Sequence, residues 1–170
     1  MAEYVEKDSS SSKELLQLVI CQLASEEFGI EISRVKEIIR IPDITKIPQV
    51  PDYVEGIINL RDRIIPVIHL AERFGLAREV KDEDSRIVVV EIGNLTAGMV
   101  VDSVTEVLRM SGDDIEPAPD IIVSGVSEKY IRGVGKLEDR LLILLDIDMV
   151  FTEEQKQQMS QLENAGAVPA

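Results

Sequence analysis

Side chains able to do chemistry are few in this chain and poorly placed for it. His69 is the single histidine and Cys21 the single cysteine, and they fall in different strand-like stretches. A covalent catalyst needs a nucleophile, a base within hydrogen-bond reach and a group that orients the base, and nothing near His69 or Cys21 supplies that set. Zinc needs several His, Cys or carboxylate ligands at characteristic spacings, which one His and one Cys do not provide. Gly133-Val-Gly135-Lys136 has the flavour of a phosphate loop. It lacks the earlier glycine and the following Ser or Thr, and it lies inside a strand-like run. Asp146-Ile-Asp148 alternates as an exposed strand end does, and Asp113-Asp114 begins a turn. His69 therefore reads as a structural or surface histidine and Cys21 as a small buried hydrophobe. No catalytic residue, cofactor or metal is expected. A small acidic enzyme is the alternative, and an activity that fell on His69→Ala would revive it.

The information lies instead in a repeat. Tyr53-Val-Glu-Gly-Ile-Ile-Asn-Leu-Arg-Asp-Arg-Ile-Ile-Pro-Val-Ile-His-Leu70 returns as Tyr130-Ile-Arg-Gly-Val-Gly-Lys-Leu-Glu-Asp-Arg-Leu-Leu-Ile-Leu-Leu-Asp-Ile147, 77 positions later. Each copy is two apolar runs about one strand long around a charged joint at Asp62-Arg63 or Asp139-Arg140, the pattern of a β-hairpin in which Asp accepts the tight-turn backbone. Upstream, Gly29–Ile41 is matched by Gly98–Met110 and Leu18–Leu23 by Ile87–Ile92, both at a spacing of 69. About eight extra residues therefore precede the second hairpin, within Ala118–Lys129. Two copies are too few for a solenoid. They predict a mainly β protein built as a pseudo-symmetric pair of small barrels.

The positioning elements follow in order. Residues 1–14 read as a flexible tail, Ser- and charge-rich with little apolar surface. The folded domain spans 15–151, with a first half at about 15–76, a charged linker at 77–85 and a second half at about 86–151. Strands are expected at Leu18–Ala24, Phe28–Ile32 and Glu37–Ile41, with Ser33 capping one helical turn between the last two. Pro42, Pro48 and Pro51 exclude regular helix and central strand from the connection that follows. Leu70–Leu76 suits a short helix stopped at Gly75. Thr152-Glu-Glu-Gln155 has capping-box spacing and starts a surface helix from about Glu153 to Glu163, within a C-terminal segment at 152–170.

Composition excludes several partners. With 170 residues and 45% hydrophobic content the chain can bury a core, and with aromatics at 4% and no Trp that core is aliphatic. A formal charge of −14, from 32 acidic against 18 basic residues, repels nucleic acid and anionic lipid. One cysteine forms no intrachain disulfide, and a reducing compartment fits. No signal-peptide core or membrane-spanning run is present, so a cytoplasmic protein without direct membrane insertion is expected.

Strand alternation points to a surface. In Val35–Ile41 one face carries Glu37, Ile39 and Ile41 and the other Lys36, Ile38 and Arg40, and the second copy sets Glu106, Leu108 and Met110 against Thr105, Val107 and Arg109. Ile38 and Val107 recur framed by solvated residues. They are either buried between the halves or the apolar floor of a partner groove with a polar rim. Arg61 is in position to pair with Glu37, whereas its counterpart Glu138 cannot pair with Glu106. The first pair is either partly buried at a binding surface or exposed and weak.

Phe28-Gly-Ile-Glu-Ile-Ser-Arg-Val-Lys-Glu-Ile-Ile, Ile44-Thr-Lys-Ile-Pro-Gln-Val-Pro and Val54-Glu-Gly-Ile-Ile-Asn-Leu-Arg-Asp-Arg-Ile-Ile-Pro-Val-Ile-His-Leu together resemble the bacterial chemotaxis coupling family CheW, over about Leu15–Phe151. The resemblance implies two SH3-like five-stranded β-barrel subdomains with short helices, and a non-enzymatic adaptor. Its implied partners are the cytoplasmic tip of transmembrane chemoreceptors and the regulatory domain of the histidine kinase CheA. It places Val35, Glu37, Ile38, Arg61, Val101, Val104 and Val107 in or near a receptor groove between the subdomains. Kinase contact is implied for Asp43, Ile44, Ile47, Pro48 and Val50 in the first half and for Ile121 and Val123 in the second. The free protein is expected to be a monomer, recruited to membrane-associated receptor arrays. A coupler of another receptor–kinase pathway, for pili or development, is the nearer alternative. Asp62 departs from the glycine usual in the family after Asn-Leu-Arg. No receiver-domain pattern follows, so relatives fused to a phosphoacceptor domain fit less well.

Overall fold

The computed structural model describes residues 15–76, 83–117 and 126–167. Eleven strands are described within them: β1 Leu15–Leu23, β2 Glu26–Glu31, β3 Val35–Arg40, β4 Val54–Leu60, β5 Arg63–His69, β6 Arg86–Ile92, β7 Leu95–Val101, β8 Ser103–Ser111, β9 Ile115–Glu116, β10 Ile131–Leu137 and β11 Arg140–Leu145. Two helices join them, α1 at Leu70–Arg73 and α2 at Glu153–Ala167, with one-turn 3-10 helices at Ile32–Arg34, Gly112–Asp114, Glu128–Tyr130 and Ile147–Met149. The tail at 1–14, the linker at 77–82, Ile121, Val123 and the last three residues lie outside the described residues.

The strands form two sheets, in the orders β3-β6-β7-β5-β4 and β8-β1-β2-β11-β10-β9. Apart from β9, each position in one sheet is occupied in the other by its counterpart from the repeat. The repeat boundary is nevertheless not the sheet boundary. The five-stranded sheet takes β3 to β5 from the first copy and β6–β7 from the second, while the six-stranded sheet takes β1–β2 from the first and β8 to β11 from the second. Each copy has lent its opening hairpin to the other copy's barrel. The loan is sealed on both sides of each hairpin, by parallel pairing of β2 with β11 and β5 with β7, and by antiparallel pairing of β1 with β8 and β3 with β6.

Three cores result, the two inside the barrels free of aromatics and the central one holding the phenylalanines, against the expectation of an aliphatic core throughout. Ile58, Ile65, Val67, Ile87, Val89 and Val100 fill the five-stranded barrel, and Leu18, Ile20, Met110, Leu142 and Leu144 fill the six-stranded one. Leu18 and Ile20 are the counterparts of Ile87 and Val89, and Leu142 and Leu144 of Ile65 and Val67. Where the first barrel uses Ile58, the second has Gly135, and the vacated space is taken by Met110, whose sulfur would stand 2.8 Å from a Cβ there. The largest core lies between the sheets and draws on both, from Phe28 and Ile30 to Val90 and Met99. Burying each such side chain contributes about 1.5–3 kcal/mol.

At its centre the repeated tyrosines meet the opposite copy's phenylalanines. Phe74 packs on Tyr130 at 4.9 Å and Phe151 on Tyr53 at 6.3 Å between ring centroids. Arg73 breaks the symmetry. Its guanidinium sits 5.1 Å from both tyrosine rings and donates to the Val150 carbonyl and to Gln155 Oε1 at the start of α2. The predicted capping box forms with both arms, Gln155 N–H to Thr152 Oγ1 and Thr152 N–H to Gln155 Oε1. From there α2 packs chiefly over β5, with β7 and β4 at its flanks, burying Met159.

Local expectations needed three adjustments. The hairpin turns are Arg61-Asp62 and Glu138-Asp139, one residue earlier than the charged joints suggested, and β5 and β11 begin at the arginine. Ser33 lies inside its 3-10 turn, which has no side-chain cap. α2 runs past Glu163 to Ala167. The short helix at Leu70 does stop at a left-handed Gly75, φ +78°.

The glycine shared by both hairpins has a steric cause. A Cβ on Gly56 would stand 2.1 Å from the Thr45 carbonyl oxygen, and one on Gly133 would stand 2.8 Å from that of Glu116. Each strand is crossed at close range by the segment preceding it, through an isolated Thr45–Ile57 bridge in one copy and β9 in the other.

Candidate functional site

Each barrel ends in an edge strand of the same origin, β3 in one and β8 in the other, and both are bulged at the same repeat position, Lys36 and Thr105. A bulge turns the following residues and increases twist. It leaves Ile38 38% exposed and Val107 52% exposed, so both are surface residues rather than contacts between the halves. Val35 and Val104 sit lower, half-buried against the central core. Val101 is the exception among the expected groove residues: it is fully buried in that core, because α1 and the inter-sheet packing cover the end of β7. It supports the surface from beneath and offers a partner nothing to touch.

Charge frames these side chains differently in the two barrels. Glu37 is on the core-facing row of β3, at the mouth of the first barrel, and Arg61 reaches across from the hairpin tip to pair with it. Glu37 is largely covered while Arg61 is open to solvent, a geometry worth about 0–1 kcal/mol. A small cleft of about 180 Å³ opens beside this pair, with Lys36, Leu60 and Arg63 on its walls. In the second barrel Glu138 replaces Arg61 at the hairpin tip. Glu106 instead accepts from Arg140 Nη2 at 2.9 Å, and Arg140 Nε lies 3.4 Å from Glu27. The hydrogen bond to Glu106 comes first among the causes that raise the Arg140 pKa. The repeated Asp-Arg pair was the available signal for this bridge, but Glu27 reaches it only through the exchanged β1–β2 hairpin.

In the connection after β3, Asp43 and Pro48 are exposed and Ile47 is half-buried. Ile44 leans on the first-barrel core and Val50 on the central one. Two further features escaped sequence reasoning. Arg73 between Tyr53 and Tyr130 is one. The other is Arg34, which pairs with Asp148 and donates to the Glu91 carbonyl at 3.2 Å, tying the turn before β3 to β6 and to the turn before α2. Hydrogen bonding to Arg34 holds the Asp148 carboxyl below its ordinary pKa.

The residues first considered for chemistry are structural. His69 is buried at the start of α1, its backbone N–H donating to the Tyr53 carbonyl at 2.7 Å, as the backbone N–H of Asp146 does to the Tyr130 carbonyl at 2.9 Å in the other copy. Cys21 is fully buried, and desolvation first, then Asp102, pushes its thiol up to about 12, which suppresses the reactive thiolate. Among the described residues no cluster of metal-ligating side chains occurs, and no helix is long and apolar enough to cross a membrane.

Comparison with known proteins decides the family. The CheW-like domain model matches residues 17–155. The chain belongs to the CheW family. It is 37% identical over 139 residues to a chemotaxis protein CheW of Klebsiella aerogenes, covering 82% of this chain and 83% of that protein. A CheW of Treponema pallidum is 36% identical over 153 residues, 88% of this chain and 89% of that one. The crystal structure of the scaffolding protein TtCheW from Thermoanaerobacter tengcongensis superimposes with a TM-score of 0.75 at 37% identity, covering 88% of this chain and 94% of that structure. The CheW-family fold is thus a pair of SH3-like β-subdomains, and the chain is a chemotaxis scaffold rather than an enzyme.

Proposed function

We propose that the chain couples transmembrane chemoreceptors to the histidine kinase CheA by holding both at once. The observation that carries this reading is the pair of apolar residues Ile38 and Val107, exposed at equivalent places on two edge strands with charged side chains around them. The receptor's cytoplasmic hairpin tip docks over Ile38 and Val107, with Val35 and Val104 beneath and the Glu37–Arg61 pair on the rim. The kinase regulatory domain uses the connection with Asp43, Ile44, Ile47, Pro48 and Val50, and the second-half segment with Ile121 and Val123. The free protein is a monomer, and recruitment to membrane-associated arrays strengthens two individually modest contacts through effective concentration.

The test is binding of the full chain to a receptor-tip fragment and, separately, to a kinase regulatory domain. Ile38→Asp and Val107→Asp each place a charge on an apolar contact, and each should weaken receptor capture at least tenfold, about 1.4 kcal/mol. Both variants should keep kinase binding and their thermal transition. Unfolding of either variant would show that the side chain serves the core, and failure of the unmodified protein to bind either partner would remove the reading.

A further inference from the structure

Helix α2 follows the second copy of the repeat but lies on the first barrel, over β5, β7 and β4. It is anchored by Met159, buried, and Leu162, half-buried, one turn apart. The repeat turns these three strands into β11, β2 and β10 of the other barrel. There an open groove of about 660 Å³ is lined by side chains of those same three strands and the hairpin tip between β10 and β11. Its base is Val134 and Ile143, both buried, and Leu141 stands in it 60% exposed. The counterpart of Glu26 at the groove's edge is Leu95, which in the first barrel shares a cleft with α2. One barrel therefore carries a helix where the other presents a vacant apolar seat of the same parentage.

The seat is acidic. Glu26, Glu138 and Asp139 line it, while its two cations are already engaged, Lys136 with Glu116 at 3.0 Å and Arg140 with Glu106 and Glu27. The protein's own α2 would be a poor occupant in a second copy, since it carries Glu153, Glu154 and Glu163 against Lys156 alone. We infer that this groove on the six-stranded barrel binds a basic amphipathic helix of a partner protein, with two apolar anchors one turn apart and Lys or Arg facing the rim. The groove adjoins the Val107 surface through Arg140, which bonds Glu106 at 2.9 Å, but the inference does not rest on the receptor reading.

A suitable probe is a peptide of the α2 sequence, residues 153–167, carrying Glu153→Lys, Glu154→Lys and Glu163→Lys, titrated into the full chain and followed by NMR. Sub-millimolar binding is expected, with shift changes centred on Leu137, Leu141 and Ile143 and a several-fold loss of affinity on raising salt. Leu141→Ser, a substitution at an exposed site, should weaken binding about tenfold, as should the Glu138→Lys, Asp139→Lys double variant. The unaltered α2 peptide should bind at least fivefold more weakly. No binding at 2 mM probe, shifts elsewhere, or indifference to Leu141→Ser would overturn the site. Equal binding of the acidic peptide, or dimerisation of the chain that Leu141→Ser abolishes, would overturn the basic partner in favour of a second copy.

Discussion

The two hairpins at the heart of the repeat, β4–β5 and β10–β11, share register, bulge position and an obligatory glycine, yet they serve opposite ends of the same problem. The first is sealed: Ile58 fills its barrel, α2 covers its outer face, and its tip is held in the left-handed region at Arg61, φ 51°, and Asp62, φ 65°, so that Arg61 reaches Glu37. The second is open: Gly135 leaves Met110 to complete the core, the groove beside Leu141 is uncovered, and its tip residues Glu138 and Asp139 are not among the described residues with positive φ. A shared topology fixes strand order and close backbone approaches. Volume, charge and covering are free to diverge.

The sharpest way to break the comparison is to cut the linker. Because every barrel is assembled from both copies, fragments 15–76 and 86–151 should each be unfolded alone, without cooperative thermal unfolding by circular dichroism. Mixing them should restore it. A stable isolated fragment would mean that a hairpin can close on its own copy. Next come the glycines. Gly56→Ala meets backbone at 2.1 Å with φ +146° and should cost more than about 3 kcal/mol, lowering Tm by roughly 10 °C. Gly135→Ala meets only the flexible end of Met110 and should cost about 1–2 kcal/mol.

A smaller contrast separates the tips. Asp62→Gly relieves a left-handed backbone and should stabilise by about 0.5 kcal/mol, whereas Asp139→Gly should be neutral or destabilising, as read from paired denaturant midpoints. The smallest effect concerns Arg34 and Asp148, a pair whose counterparts Ser103 and Ala71 cannot form it. The folded Asp148 pKa is depressed, so its contribution is present above the unfolded value of about 3.9 and is lost as pH falls through the folded one. Asp148 is half-exposed and solvent screens the pair, so Asp148→Asn should cost less than about 0.5 kcal/mol at pH 7. That difference should shrink only below about pH 4 and vanish in stronger acid, which a Tm series from about pH 7 to 2 would show.

Much of the site was legible before any coordinates. Period-two alternation put Ile38 and Val107 on the strand face opposite Glu37 and Glu106 but left open whether that face was buried between the halves, which their exposure of 38% and 52% answers. The offset between Arg61 and Glu138 marked where the two halves part. Val101 was not legible, because nothing local distinguishes an apolar residue at a groove's lip from one beneath it. Arg73 was hidden for a related reason: its partners Tyr53, Tyr130, Val150 and Gln155 are distant in sequence and converge only when the two copies interlock.

The sequence by itself determined the duplicated unit, its strands and turns, the aliphatic filling of the two barrels and the capping box of α2, since each follows from local periodicity or residue chemistry. Tertiary structure alone decided which copy each hairpin pairs with. Both the exchanged and the self-contained pairings satisfy the same pattern of apolar residues, and only the packing of β2 on β11, β7 on β5 and the shared core between the sheets selects one. That choice left one barrel capped by a helix and the other with an open groove.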